Sequence, residues 1–231
     1  MWENYFTSNN YSDALFDACL AFLFVCSTHR PLLFLSLTMK TEFESYLRSE
    51  TALSAAEIRL ISDCADTRKL HRNEALLTPG EVCRHKVFIA KGMLRTYSVK
   101  EDGSEHILQF SPEHTWTLDA ESYDTQTPSR YYISAIENSE VLLWTRNDFL
   151  RLLSELPLLK KYADHIVSRT MHSTRQRLHT TLSGTPEEKY DDFVQHYPNL
   201  LTRLPLRMIA AYLGISLKTL TRLRSAQLQR S

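Results

Sequence analysis

The stretch Leu206 to Ser225, LRMIAAYLGISLKTLTRLRS, leaves this chain few ways to fold. Ile209 and Leu213 lie four apart and share one face of a first helix. Ala210 is small where a second helix has to cross closely. Gly214 follows where a helix C-cap needs left-handed backbone, Ile215 tucks beneath the turn, and Ser216 is placed to cap the next helix. Leu220 and Leu223 give that second helix its buried side, leaving Lys218, Thr219, Thr221, Arg222 and Arg224 outward. A buried seam opposite a Lys/Thr/Arg face is the pattern with which a helix lies in a DNA major groove.

The spacing Ile-Ala-x-x-Leu-Gly-Ile-Ser from Ile209 to Ser216, followed by Thr219-Leu220-x-Arg222, resembles a helix-turn-helix of the Crp/Fnr type, the catabolite activator protein family. The resemblance implies a cytoplasmic homodimer that regulates transcription and reads a near-palindromic site on double-stranded DNA, with RNA polymerase as a further partner. The recognition helix is then Leu217 to Arg224. Its base-facing positions fall at Leu217, Lys218 and Arg222, with Ser216, Thr219, Thr221 and Arg224 beside them. Arg203 and Arg207, before or on the first helix, are expected on phosphates. Six residues follow Ser225, so no wing hairpin is expected after the recognition helix.

The formal net charge is zero, but its distribution agrees with an anionic partner for this end. Phe193 to Ser231 holds six basic residues and no acidic one, leaving 21 basic against 27 acidic residues in the rest.

Upstream, the period of the sequence changes. Thr41 to Arg48 reads as helix, and Ser54-x-x-Glu57 opens a second helix with a capping box. Short apolar runs follow at Ala75-Leu77, Lys86-Ala90, Met93-Val99, His106-Phe110, Tyr131-Ala135 and Val141-Trp144. They are broken at Pro79-Gly80, Lys91-Gly92, Glu101-Asp102-Gly103 and Glu137-Asn138-Ser139. Strands at such spacing predict an antiparallel barrel or jelly roll, and the whole an α+β chain. VFIAKGMLRTYSVKEDGSEHILQF is similar to the cyclic-nucleotide-binding β-roll of the same family, over about Leu76 to Trp144.

The ligand site departs from that family. Its cyclic-nucleotide binders carry a Gly-Glu pair and a later Arg-Ser/Thr-Ala, which hold the ribose and the cyclic phosphate. Counting back from Ala135, the family arginine falls on Ser129, with Arg130 one place off and turned to the other face of the strand. No glycine lies between Ser104 and Ser183, so the cradle lacks its permissive backbone. Neither cyclic AMP nor cyclic GMP is therefore expected; Asp119, Glu121, Ser122, Ser129 and Arg130 are the candidate pocket for another, unidentified small-molecule effector.

Phe149 to Pro157 reads as a short helix. Leu158 to Leu182, with no internal Gly or Pro, reads as one long helix in the position where family members dimerise. Leu159, Ala163, Ile166 and Thr170 offer a four-three seam. His165, His172 and His179 recur every seven residues and read as a solvated polar face. Thr185-Pro186-Glu187-Glu188 opens the next helix, with Tyr190, Phe193, Val194 and Tyr197 packing under the DNA-binding pair.

Four units result: an atypical apolar extension over 1–38, a β-roll sensor over 39–156, a dimerisation helix over 157–184 and a helix-turn-helix unit over 185–231. In the extension, the longest uncharged run, Ala18 to Thr28, has 11 residues, short of the roughly 20 that span a membrane. No membrane association is expected, and the native start is expected at Met39. Cys19, Cys26, Cys64 and Cys83 show no metal-ligand spacing and read as reduced thiols. His85, His106 and His114 are isolated, and no His-x-His, nucleophile elbow, P-loop or dinucleotide fingerprint occurs, so neither metal, cofactor nor catalysis is expected. The alternative is a ligand- or partner-binding β-roll module whose DNA-binding unit has degenerated.

Overall fold

The computed structural model describes residues 38–228. The extension read over 1–38 lies, save for its last residue, outside them, as does Arg230. No helix among the described residues is long and apolar enough to cross a membrane.

Helix α1 (38–50) and helix α2 (Ala55–Asp63) precede the sheets. The Ser54 hydroxyl accepts from the Glu57 N–H, and Glu57 accepts in return from the Ser54 N–H, as the capping box requires. Eight strands follow: β1 (Asp66–Leu70), β2 (Ala75–Leu77), β3 (His85–Lys91), β4 (Leu94–Val99), β5 (Glu105–Ser111), β6 (Trp116–Thr117), β7 (Tyr132–Ala135) and β8 (Ser139–Thr145). A short helix, α3 (Ala120–Thr125), sits between β6 and β7. The strands form two antiparallel sheets, ordered β1-β8-β3-β6 and β2-β7-β4-β5. The sequence reading missed β1, β6 and α3. Strand β1 is DTRKL, a polar edge strand that buries only Leu70 fully, and β6 is two residues long.

Period-two alternation assigns each strand residue to a layer. Val87 and Ile89 of β3, with Val141 and Leu143 of β8, face inward between the sheets, beside Leu70, Leu77, Leu94 and Ile133. Phe88, Leu142 and Trp144 face the other way, into an aromatic layer closed by Phe43 of α1, Ile58 and Ile61 of α2, and Phe149. Helix α4 (Arg146–Glu155) supplies Phe149, and the first turns of α5 (Pro157–Ser183) add Leu159 and Tyr162.

The C-terminal helices pack on the β5 side of the second sheet. These are α6 (Pro186–His196), α7 (Leu206–Leu213) and α8 (Leu217–Leu228). Met93, Ile107, Phe110 and Ile136 of the β-roll share one buried cluster with Tyr190, Phe193, Leu200, Ile209, Tyr212 and Leu220. Ile107 and Phe110 reach the same face because the β4–β5 ladder slips: Thr96 pairs with Gln109, but Tyr97 pairs with Ile107. Leu108 is the extra residue of that bulge.

Candidate nucleic-acid interface and effector cavity

Local backbone chemistry sets the angle between α7 and α8. Gly214 ends α7 at φ +66°, and its N–H and that of Ile215 both return to the Ala210 carbonyl. The Ser216 hydroxyl then accepts from the Thr219 N–H at 3.1 Å, capping α8. Leu220 is fully buried under the turn, while Leu217 is 48% exposed. Lys218, Thr221 and Arg222 are exposed on the outer face of α8, and Arg207 is exposed on α7.

Two residues read as outward, and one expected on phosphate, are placed otherwise. Thr219 is half-buried, with its hydroxyl 2.8 Å from that of Ser216 inside the cap. Arg224 is half-buried, close enough to Tyr190 to oppose the rise that burial imposes on that phenol's pKa. Arg203 makes the larger correction. Its guanidinium donates to both oxygens of Glu113, at 2.8 and 2.7 Å, and also to Glu137. Its hydrogen bonds to Glu113 are the first cause of its raised pKa. Burial penalises the Glu113 carboxylate, yet the bonds from Arg203, its own N–H and that of Gly92 hold its pKa below the usual carboxylate value. Arg203, expected on phosphate, is here tied to the β-roll.

A cavity of about 520 Å³ lies between the second sheet, the β5–α3 segment and helix α5. Of the five expected pocket residues, it receives Asp119. Ser129 sits behind Asp119, donating to its carboxylate at 2.6 Å. Ser122 is buried on α3, accepting from the Cys83 N–H and donating to the Thr127 carbonyl. Glu121 and Arg130 pair with each other at 2.9 Å on the exposed surface, away from the cavity. The sequence reading missed the residues on the opposite wall, Arg169, Thr170 and Arg177 of α5, and Thr96 of β4. The Thr96 hydroxyl is buried with no hydrogen-bond partner, an unmet donor at the cavity wall. Tyr46, Trp116 and Tyr131 add aromatic surface.

Helix α5 divides in two. Leu159 is buried and Ile166 packs against the same layer, so the seam read at Leu159, Ala163, Ile166 and Thr170 belongs in part to the chain's own core. The exposed apolar stripe is Val167, Met171, Leu178 and Leu182, in steps of four, seven and four. His165, His172 and His179 are all exposed.

Comparison with known proteins agrees with this architecture. The cyclic nucleotide-binding domain family matches residues 67–155. No curated protein matches the chain in sequence. Among solved structures, the c-di-GMP-responsive global regulator CLP of Xanthomonas campestris aligns with a TM-score of 0.63 at 11% identity, over 77% of this chain and 92% of that one. A CooA mutant from Carboxydothermus hydrogenoformans gives 0.61 at 17%, over 80% and 83%. FixK2 of Bradyrhizobium japonicum gives 0.60 at 18%, over 72% and 85%. The chain thus carries a cyclic nucleotide-binding-like β-roll followed by helices, in the fold of Crp/Fnr-type regulators.

Proposed function

We propose that this chain is a cytoplasmic transcription regulator: a homodimer whose α8 helices read a near-palindromic operator on double-stranded DNA. The observation that carries the reading is the α7–Gly214–Ser216–α8 geometry. It buries Leu220 completely and leaves Lys218, Thr221 and Arg222 on one exposed face. Arg222 alone on that face offers the planar fork that matches guanine O6 and N7, and Lys218 supplies a single-point donor. One helix reads only a few base pairs, so two-fold pairing is needed to read enough sequence. The stripe of Val167, Met171, Leu178 and Leu182 supplies an apolar face for that pairing. RNA polymerase is the expected further partner.

The effector, where there is one, is not a cyclic nucleotide. The Asp119 carboxylate lies on the cavity wall with Ser129 donating to it, and Arg130 is spent on Glu121 outside. A cyclic phosphate at that wall would meet the Asp119 carboxylate with no arginine from the sheet beside it, Arg169 and Arg177 lying on the α5 wall instead.

A mobility-shift experiment on genomic fragments tests the reading. Retarded fragments sharing a near-palindromic sequence support it. No retention of any fragment, by a chain that is folded and dimeric, favours a β-roll binding module without DNA recognition.

A further inference from the structure

The helix-turn-helix unit is held against the β-roll at two places. At the first, three turns at one end of the β-roll converge on Arg203. Glu113 follows β5, Glu137 precedes β8, and Gly92 links β3 to β4. The Gly92 N–H donates to Glu113 at 3.0 Å, while the Ser139 hydroxyl donates to the Glu137 carbonyl and accepts from the Met93 N–H. A Cβ on Gly92, at φ +90°, would fall 2.4 Å from the Ser139 hydroxyl, so this turn tolerates no larger residue. The Glu113 carboxylate and the Glu137 backbone are thus held by the β-roll independently of Arg203.

At the second place, Arg177 of α5 donates to the carbonyls of Ile107, Leu108 and Tyr212 and lies 3.7 Å from the centre of the Tyr212 ring. Leu108 is the bulged residue of β5, so its carbonyl is free of the ladder and open to this bond. The Phe110 and Tyr212 rings, 5.1 Å apart, close the contact between the two places.

We infer that this docking is a brake on DNA binding, in which Glu113 and Glu137 compete with DNA phosphate for the Arg203 guanidinium. The inference rests on the DNA-binding reading above. A phosphate approaching the start of the helix pair at Arg203 meets two carboxylates and gains the guanidinium only when the bridge opens. The outer face of α8 stays exposed while docked, so the brake acts by fixing the unit's position and withholding a cation, not by covering the recognition helix. Arg177 also lines the 520 Å³ cavity, so an occupant there touches the side chain that ties Tyr212 to the β-roll. That gives an effector a direct route to the brake.

The measured affinity is the intrinsic affinity multiplied by the undocked fraction, so loosening the bridge tightens binding. The bridge is about one-third exposed, at 30% for Arg203 and 31% for Glu113, which limits its strength. In the full chain, Glu113→Gln/Glu137→Gln is expected to bind a short fluorescein-labelled duplex of mixed sequence about three- to tenfold more tightly. Its plot of log affinity against log salt should be steeper by about one, because Arg203 then neutralises a phosphate. Adding Arg203→Gln to the double variant should remove that extra slope. Hydrogen exchange without DNA gives an independent readout: amides of Leu206–Leu213 and Glu105–Ser111 should exchange faster in the double variant. Unchanged exchange with unchanged slope overturns the brake, and weaker binding by the double variant shows that the docked position is the DNA-competent one. If neither protein binds the duplex at low salt, the DNA-binding reading itself fails, and the brake with it.

Discussion

The Ser129 hydroxyl donates a 2.6 Å hydrogen bond to the buried Asp119 carboxylate, which forms part of the cavity wall. By the sequence alignment, Ser129 stands where the family's cyclic-nucleotide binders are expected to carry an arginine, and the pair places a carboxylate on the wall there. Calorimetry with cyclic AMP and cyclic GMP should therefore show no binding at micromolar affinity. Micromolar binding of either would mean that the cavity accommodates a phosphate despite Asp119.

The helix pair should depend on Leu220 and be indifferent to Leu217. Leu220 is fully buried, so Leu220→Ala should cost about 2–5 kcal/mol in denaturant unfolding. Leu217 is 48% exposed, so Leu217→Ala should change stability by less than about 0.5 kcal/mol. Equal losses would show that α8 is rotated from the orientation described.

Charge placed on the α5 stripe should separate the dimer. Met171→Glu/Leu178→Glu puts acidic groups on two of its exposed apolar positions. Light scattering at micromolar concentration should report a dimer for the parent chain and a monomer for the variant, with thermal stability of the β-roll unchanged. A variant that stays dimeric would move the interface elsewhere.

Docking of the helical unit should persist through neutral pH and fail in acid. The folded pKa of Glu113 lies below its ordinary value of 4.5. A depressed carboxylate contributes stability that is present above its unfolded pKa and lost as pH falls through the folded value. Exchange protection of Leu206–Leu213 should thus be level between pH 5.5 and 8 and decline only in the acid range below about 4.5. A decline near pH 6 would point to histidine control instead.

What could be read in the sequence was what is encoded locally. Gly214, Ser216 and Leu220 lie within seven residues of each other in the chain, and each does in the structure what its neighbours required. The capping boxes at Ser54 and Thr185 are local too, and both form. The failures are long-range. Arg203 meets Glu113 and Glu137 across 90 and 66 residues, so a basic residue beside a recognition motif looked free. A heptad pattern gives a helix an apolar side without saying what covers it. Leu159 turned inward to the chain's own aromatic layer, and the exposed stripe starts further along, at Val167. The cavity wall on α5 was hidden because Arg169, Thr170 and Arg177 are what any solvated helix carries.

In the proposed complex α8 reads bases while α7 holds the backbone, and selection of bound sequences from a random pool tests this most directly. Arg222→Ala should flatten the preference at one position in each half-site, losing about 1–3 kcal/mol of discrimination there. Arg207→Ala should instead weaken every sequence alike and make the salt slope shallower by about one. Uniform loss of affinity in Arg222→Ala, with base preference intact at every position, would contradict the assignment of α8 to the major groove.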